Sequence, residues 1–311
     1  MATPTIAPFS KVVIEAVKKL FPEELADKSF DNTGLLLEAP YRPGHLEKSA
    51  LITVDLTKAV ADEAIARRDC IIIAYHPIIF RPLKSITLSN TQQSTLLRLA
   101  QEGISVYSPH TAVDAALGGL NDWLADGISS PGQAIRSVIT PITNPPVGYE
   151  GTGYGRIVRF NAPQKLGDLV AKISAQLGPL SGVSVATPQS VPSGEKSKME
   201  IFSVGICAGS GGSMLAGLDV DLLFTGELSH HEALAATEKG KCVITTFHSN
   251  SERAYFRKMM QPMLVKTVKV NILDMARRGE WTEPPENGFD IAVSEVDCDP
   301  FEIITGDLES W

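Results

Sequence analysis

The chain has only four cysteines in 311 residues, and no two of them stand at the CxxC spacing of a zinc ribbon or a redox pair. Cys70, Cys207, Cys242 and Cys298 lie far apart, and the first three sit in or beside β-branched apolar runs. Buried, reduced thiols in a cytosol-like compartment are expected, with no structural disulfide. Basic runs are also scarce. With 28 Lys and Arg against 36 Asp and Glu the formal net charge is −8, and no basic stretch is long enough to neutralise a row of phosphates. Tight, direct nucleic-acid binding is therefore disfavoured. The longest apolar run, CIIIAYHPIIF at 70–80, is broken by His76 and Pro77. It is too short to cross a bilayer core of about 30 Å as a helix, so no membrane span is expected. The opening MATPTIAPFSKVVIEAVKKLF has neither the apolar core of a secretory signal nor an arginine-rich, acid-poor transit pattern. A cytoplasmic address is expected, with mitochondrion and nucleus left open.

What is present is a globular composition. Apolar residues make up 43% and charged residues 21%, with no low-complexity tract, and the length suits one large or two medium domains. Apolar β-branched runs alternate with amphipathic segments: strand-like ALITVDL, helical TKAVADEAIARR, strand CIIIAYH, helical TQQSTLLRLAQEG ending at Gly103, strand ISVYSPH and helical AVDAALGGLNDWLA. That rhythm predicts an α/β fold around a mostly parallel sheet. Residues 127–156, rich in Gly, Pro, Ser and Thr, read as a linker or crossing loop. A second α/β unit follows: strand YGRIVRF, helix KLGDLVAKISAQLG, a possible strand GVSVATP, and strand MEIFSVGICA. DLLFTGE, SHHEALAATEKG, KCVITTFH and SERAYFRKMM then continue as strand, helix, strand, helix, and FDIAVSEVD reads as a last strand.

The six histidines are not scattered. His76 ends CIIIAYH, His110 ends ISVYSPH and His248 ends KCVITTFH, and ligands of open parallel sheets bind at the carboxyl ends of strands. Asp114 follows His110 by four residues and Glu252 follows His248 by four, which is one helical turn if a helix starts there. His76, His110, Asp114, His248 and Glu252 thus make a nitrogen and oxygen donor set with no thiolate. Such a set suits divalent iron, manganese, zinc or cobalt, one ion or two bridged by a carboxylate. Taken singly, each pair is more readily a chance spacing at a polar helix start; two at equivalent strand ends favour a shared site.

Other stretches are less specific. CAGSGGSM is neither a P-loop nor a clean GxGxxG and reads as a tight turn. In TGELSHHEAL, Glu227, His230 and His231 could move protons at a catalytic site, or simply cap a surface helix. Asp31, Asn32 and Thr33 read as a turn before a strand.

FDNTGLLL, AYHPIIF, SPHTAVDAALGGLNDWLA, CAGSGGSML, TGELSHHEAL and FHSNSERA, in this order, resemble the NGG-one-interacting factor three family, also labelled GTP cyclohydrolase type 2 homologues. The resemblance runs from about residue 8 to about 300. It implies a two-lobed α/β/α architecture with mostly parallel sheets and a dinuclear metal site in the cavity between the lobes. Residues 1–130 and 241–311 would form the first lobe and 131–240 the second, and the chain would assemble as a homohexamer. Carried over by motif, the ligands are again His76, His110, Asp114, His248 and Glu252, binding zinc, manganese or iron. Many relatives have two adjacent histidines where this chain has Tyr75 and His76. A protonated phenol is a poor ligand, so Tyr75 is expected beside the ligands and the second ion is in question. Two functions follow as expectations: a metal-dependent hydrolase of a nucleotide-like or phosphorylated small molecule, with Glu227, His230 and His231 shuttling protons; or a non-catalytic adaptor or regulatory factor with a protein partner.

Overall fold

The computed structural model describes residues 5–178, 180, 182–281 and 288–304. Eleven strands occur among them, in chain order β1 (Gly34–Leu37), β2 (Ser49–Thr53), β3 (Ile71–Ala74), β4 (Ser105–Ser108), β5 (Ala134–Pro141), β6 (Gly153–Lys165), β7 (Ser184–Ala186), β8 (Glu200–Ser210), β9 (Leu222–Glu227), β10 (Cys242–Thr245) and β11 (Asp290–Val293). Two compact units emerge: Met1–Val113 with Phe256–Cys298, and Asp114–Tyr255 with Asp299–Trp311. No helix among the described residues is long and apolar enough to cross a membrane.

The first unit is built on a five-stranded sheet in the order β1-β4-β3-β2-β11. The pairs β3–β4, β2–β3 and β2–β11 are parallel, and β1 runs antiparallel at one edge. All four residues of β3 are buried, as expected of a strand covered on both faces. Helix Lys58–Arg67 carries the chain from β2 to β3. Its N-terminus is capped by Thr57, whose hydroxyl accepts from the Val60 amide at 3.3 Å. Helix Thr91–Glu102 leads into β4 and is capped by Asn90, which accepts from the Gln93 amide at 3.0 Å. It stops at Gly103, as predicted, because the chain turns left-handed there, with φ +85°. Leu51, Val60, Ile72, Leu96, Leu99 and Val106 pack together between these helices and the sheet. Each such side chain contributes about 1.5–3 kcal/mol by leaving water. Helix Pro8–Leu20 packs against Gln261–Arg277, where the Asn271 amide donates to the Val12 carbonyl at 3.3 Å. Trp281 is buried, 8% exposed.

The second unit has a six-stranded sheet in the order β5-β6-β8-β9-β10-β7. β8, β9 and β10 form its parallel core, while β5, β6 and β7 pair antiparallel. The stretch expected as a linker contains β5, which pairs with β6 from Ala134–Phe160 to Pro141–Gly153. AIRSVITP alternates only weakly and lies half-exposed at the sheet edge, so its flanking Gly and Pro hid it. The glycine stretch expected as a tight turn instead continues β8 to Ser210 and enters the short helix Gly212–Leu215. Helix Leu120–Ile128 carries Trp123, which is 7% exposed with its ring 5.9 Å from that of Tyr255. Arg156, buried, pairs with Asp122 of that helix at 2.5 Å. All four cysteines are free, and Cys70, Cys207 and Cys242 are buried, but Cys298 is exposed.

Candidate metal centre

In the first unit the ladder continues past β3 and aims the next two side chains. The Tyr75 amide donates to the Thr53 carbonyl at 2.9 Å and the His76 amide to the Val54 carbonyl at 3.0 Å. His76 meets Asp55 through Nδ1, at 2.9 Å. His110, just beyond β4, meets Asp31 through Nδ1, at 2.6 Å. The other Asp31 oxygen accepts from the Thr111 amide at 3.2 Å and from the Thr111 hydroxyl. Burial alone would raise the Asp31 carboxyl; the hydrogen bond and charge of His110, with the Thr111 bonds, outweigh it and hold it below the usual aspartate range. His110 has φ +31°, a strained backbone for a non-glycine residue, so the Asp31 grip on both His110 and Thr111 stabilises a turn the chain would otherwise avoid. The His76 and His110 rings lie 5.5 Å apart, edge to face.

Tyr75 is 2% exposed and fills the space beside these rings, 4.9 Å from His76, 5.3 Å from His110 and 5.1 Å from Phe256. Its backbone carbonyl accepts from the Ser108 hydroxyl at 2.8 Å.

In the second unit, Glu227 closes β9 and His248 lies three residues past β10. The Thr246 amide donates to the Gly226 carbonyl at 3.1 Å, which ties the two strand ends together. His248 meets Glu227 through Nδ1 at 2.9 Å, and its Nε2 lies 3.5 Å from Glu252 Oε1. Glu252 is 1% exposed. Ser251 accepts from the Gly209 amide at 2.9 Å and donates to the His248 carbonyl at 2.7 Å, locking β8 to this turn. Gly209 has φ +61°, and a Cβ there would stand 2.7 Å from Glu252 Oε1 and 2.9 Å from His248 Nε2. Only glycine leaves room for those two donor atoms. Burial, with the charges of Asp114 and Glu252, pushes the Cys207 thiol up to about 12, so it stays a neutral neighbour of these carboxylates. Asp114 itself lies in the short helix Thr111–Ala115 and is half-buried.

His230 and His231 open the helix His230–Glu238, exposed, with their rings 5.2 Å apart. A capping box between Ser229 and Glu232 holds that helix start. Glu227, read from sequence as a companion of these two, meets His248 Nδ1 at 2.9 Å. Sequence reasoning missed Asp31 as more than a turn residue and did not single out Asp55. The signal that could have found them is a carboxylate at or near a strand end, one for each strand-end histidine.

The chemistry of the donors suits a borderline divalent ion: imidazole nitrogens and carboxylate oxygens, with no ionised thiol. Nδ1 of each histidine already has a partner, which is the usual state of a metal-ligating imidazole. His76 and His110 bring such donors near one another in the first unit, and His248 and Glu252 do so in the second.

A profile of the Duf34/NIF3 (NGG1p interacting factor 3) family matches residues 10–277. The NIF3 homolog of Schizosaccharomyces pombe is 45% identical over 295 residues, covering 94% of this chain and 98% of that protein. The NGG1-interacting factor 3 of Saccharomyces cerevisiae is 37% identical, covering 94% and 96%. Among solved structures, a Bacillus cereus protein related to NIF3 superposes with a TM-score of 0.71 at 21% identity, covering 94% of this chain and 98% of its own, which supports the α/β fold. The chain therefore belongs to the Duf34/NIF3 family.

Proposed function

We propose that this protein binds one or two divalent ions, zinc, manganese or iron, through His76, His110, Asp114, His248 and Glu252, and hydrolyses a nucleotide-like or phosphorylated small molecule. One observation carries the reading: three strand-end histidines each have Nδ1 engaged by a carboxylate, with Nε2 as the remaining ligand nitrogen. A divalent ion, when bound, would supply Lewis acidity and bring the pKa of a water to about 7. The chain's own residues would do the rest. Glu252 and Asp114 supply anionic ligands, and Gly209 keeps the space around Glu252 and His248 open. His230 and His231, exposed at a helix start, would relay protons. Glu227 would hold His248 through Nδ1 and would share the movement of protons with these two histidines. Tyr75 would stay a neutral phenol packed beside the histidines.

A second reading, a non-catalytic factor with a protein partner, is favoured by Tyr75 in the place of a histidine. It is also favoured by the Saccharomyces cerevisiae relative, named for an interaction with NGG1. In either reading we propose a cytoplasmic homo-oligomer, a hexamer. Elemental analysis of the purified protein, followed by a screen of phosphorylated and cyclic substrates with and without metal, separates the two. Metal-dependent turnover supports the hydrolase; stoichiometric metal with no turnover of any substrate favours the factor; no metal after loading defeats the metal reading altogether.

A further inference from the structure

The three carboxylates that engage the histidines are not equivalent. The Asp31 side chain is 0% exposed, that of Asp55 36% and that of Glu227 53%. Asp31 is held by the Asn32 amide at 2.7 Å as well as by both Thr111 donors, whereas Glu227 stands at the open end of β9, where water competes for its oxygens. An ionised carboxylate can only accept, so the imidazole nitrogen hydrogen-bonded to it carries the proton. In all three pairs that nitrogen is Nδ1, including His248, whose 2.9 Å bond to Glu227 is closer than the 3.5 Å from its Nε2 to Glu252, and the lone pair is then left on Nε2. This is no general habit of histidine in this chain: His45 meets Glu102 through Nε2, at 2.6 Å.

We propose that Asp31, Asp55 and Glu227 are positioning residues that fix His110, His76 and His248 in the tautomer with a ligating Nε2. Their unequal burial ranks the hold, so that His110 is the fixed ligand and His248 the one that lets go first. The inference rests on the reading of these histidines as metal ligands. Its structural consequence is a built-in order of metal release. A buried carboxylate with three further donors cannot rotate away from its imidazole, while a solvent-facing glutamate on a longer side chain can.

The test uses the full chain with ¹⁵N-labelled histidine. In the metal-free protein at pH 8, long-range ¹⁵N–¹H spectra read the tautomer of each of the six rings. Wild type is expected to show His76, His110 and His248 protonated on Nδ1 and His45 on Nε2. Asp31→Asn, whose amide can donate as well as accept, turns His110 into a mixture. After zinc loading, transfer to a chromogenic chelator gives affinity and release rate. Asp31→Asn weakens zinc binding by about 10–100-fold, Asp55→Asn by less, and Glu227→Gln least. If Asp31→Asn does not fold, the comparison of Asp55→Asn with Glu227→Gln carries the same ranking. Unchanged tautomers and affinities in variants of a zinc-binding wild type would overturn the inference, as would a Glu227→Gln defect equal to that of the buried aspartate. A wild type with the stated tautomers that takes up no zinc overturns the metal-ligand reading beneath it instead.

Discussion

Glu252 is 1% exposed, with one oxygen 3.5 Å from His248 Nε2, an arrangement that asks for a cation. Glu252→Gln keeps the shape and removes the charge, and is expected to lower bound metal at least about tenfold while the fold persists. Elemental analysis after identical loading and a thermal melt check both halves; unchanged metal would remove Glu252 from the ligand set. Tyr75→His should raise metal per chain in the same assay, at a stability cost of about 1–3 kcal/mol, because the smaller ring leaves a gap against Phe256. Asp31 supports a pH prediction. Its native carboxyl lies below the usual aspartate range, so its contribution to stability is fully present above the unfolded value of about 3.9 and is lost as pH falls through the lower native value. Denaturant melts of wild type and Asp31→Asn should differ at pH 7, and the gap should shrink as pH falls below about 3.9; a gap independent of pH would refute the pairing. The histidines were legible in the sequence because each follows a strand-like run. Asp31 was not, because its bond to His110 spans 79 residues and its local text, FDNTG, reads as a turn.

At the level of elements, the ends of β8, β9 and β10 bring Gly209, Glu227 and His248 together, and β8 was read correctly as a strand but too short. Nothing in CAGSGG distinguishes a strand that continues from a turn; the pairing of Ser210 with Glu227 across the β8–β9 irregularity decides it. β5 was missed for the opposite reason, a true strand set in Pro- and Gly-rich text. Gly209→Ala tests how tightly the strand end is built. A left-handed backbone costs a non-glycine residue about 1–2 kcal/mol, and the added carbon must also displace Glu252, so metal content and denaturant midpoint should fall together. A variant as stable and as metal-rich as wild type would contradict the crowding. The helix start at His230 and His231 calls for a different outcome. Both are exposed, so His230→Gln with His231→Gln should change stability by less than about 0.5 kcal/mol and leave metal content intact. Loss of turnover under those conditions would mark them as proton carriers, and full turnover would retire them from the mechanism.

For the whole molecule, the alternation of strands and helices announced an α/β protein, but nothing in the text marked the division at residues 113 and 114, inside a short helix. A boundary there depends on which residues touch after folding, and composition does not record it. Assembly is also a matter of surfaces rather than of local text. Light scattering at micromolar concentration is expected to give a multiple of the 33.4 kDa chain mass, six being the proposed number; a single-chain mass would rule the oligomer out. Two buried tryptophans among the described residues have a separate use. Trp123 belongs to the second unit and Trp281 to the first, and both are shielded from water. Each is thus a natural optical probe of its own unit. In a Trp311→Phe background, which leaves these two as the chain's tryptophans, Trp281→Phe makes emission follow the second unit and Trp123→Phe makes it follow the first. Comparing the two unfolding curves would tell an experimenter whether the units melt as one cooperative body or in sequence, with no dye or label attached.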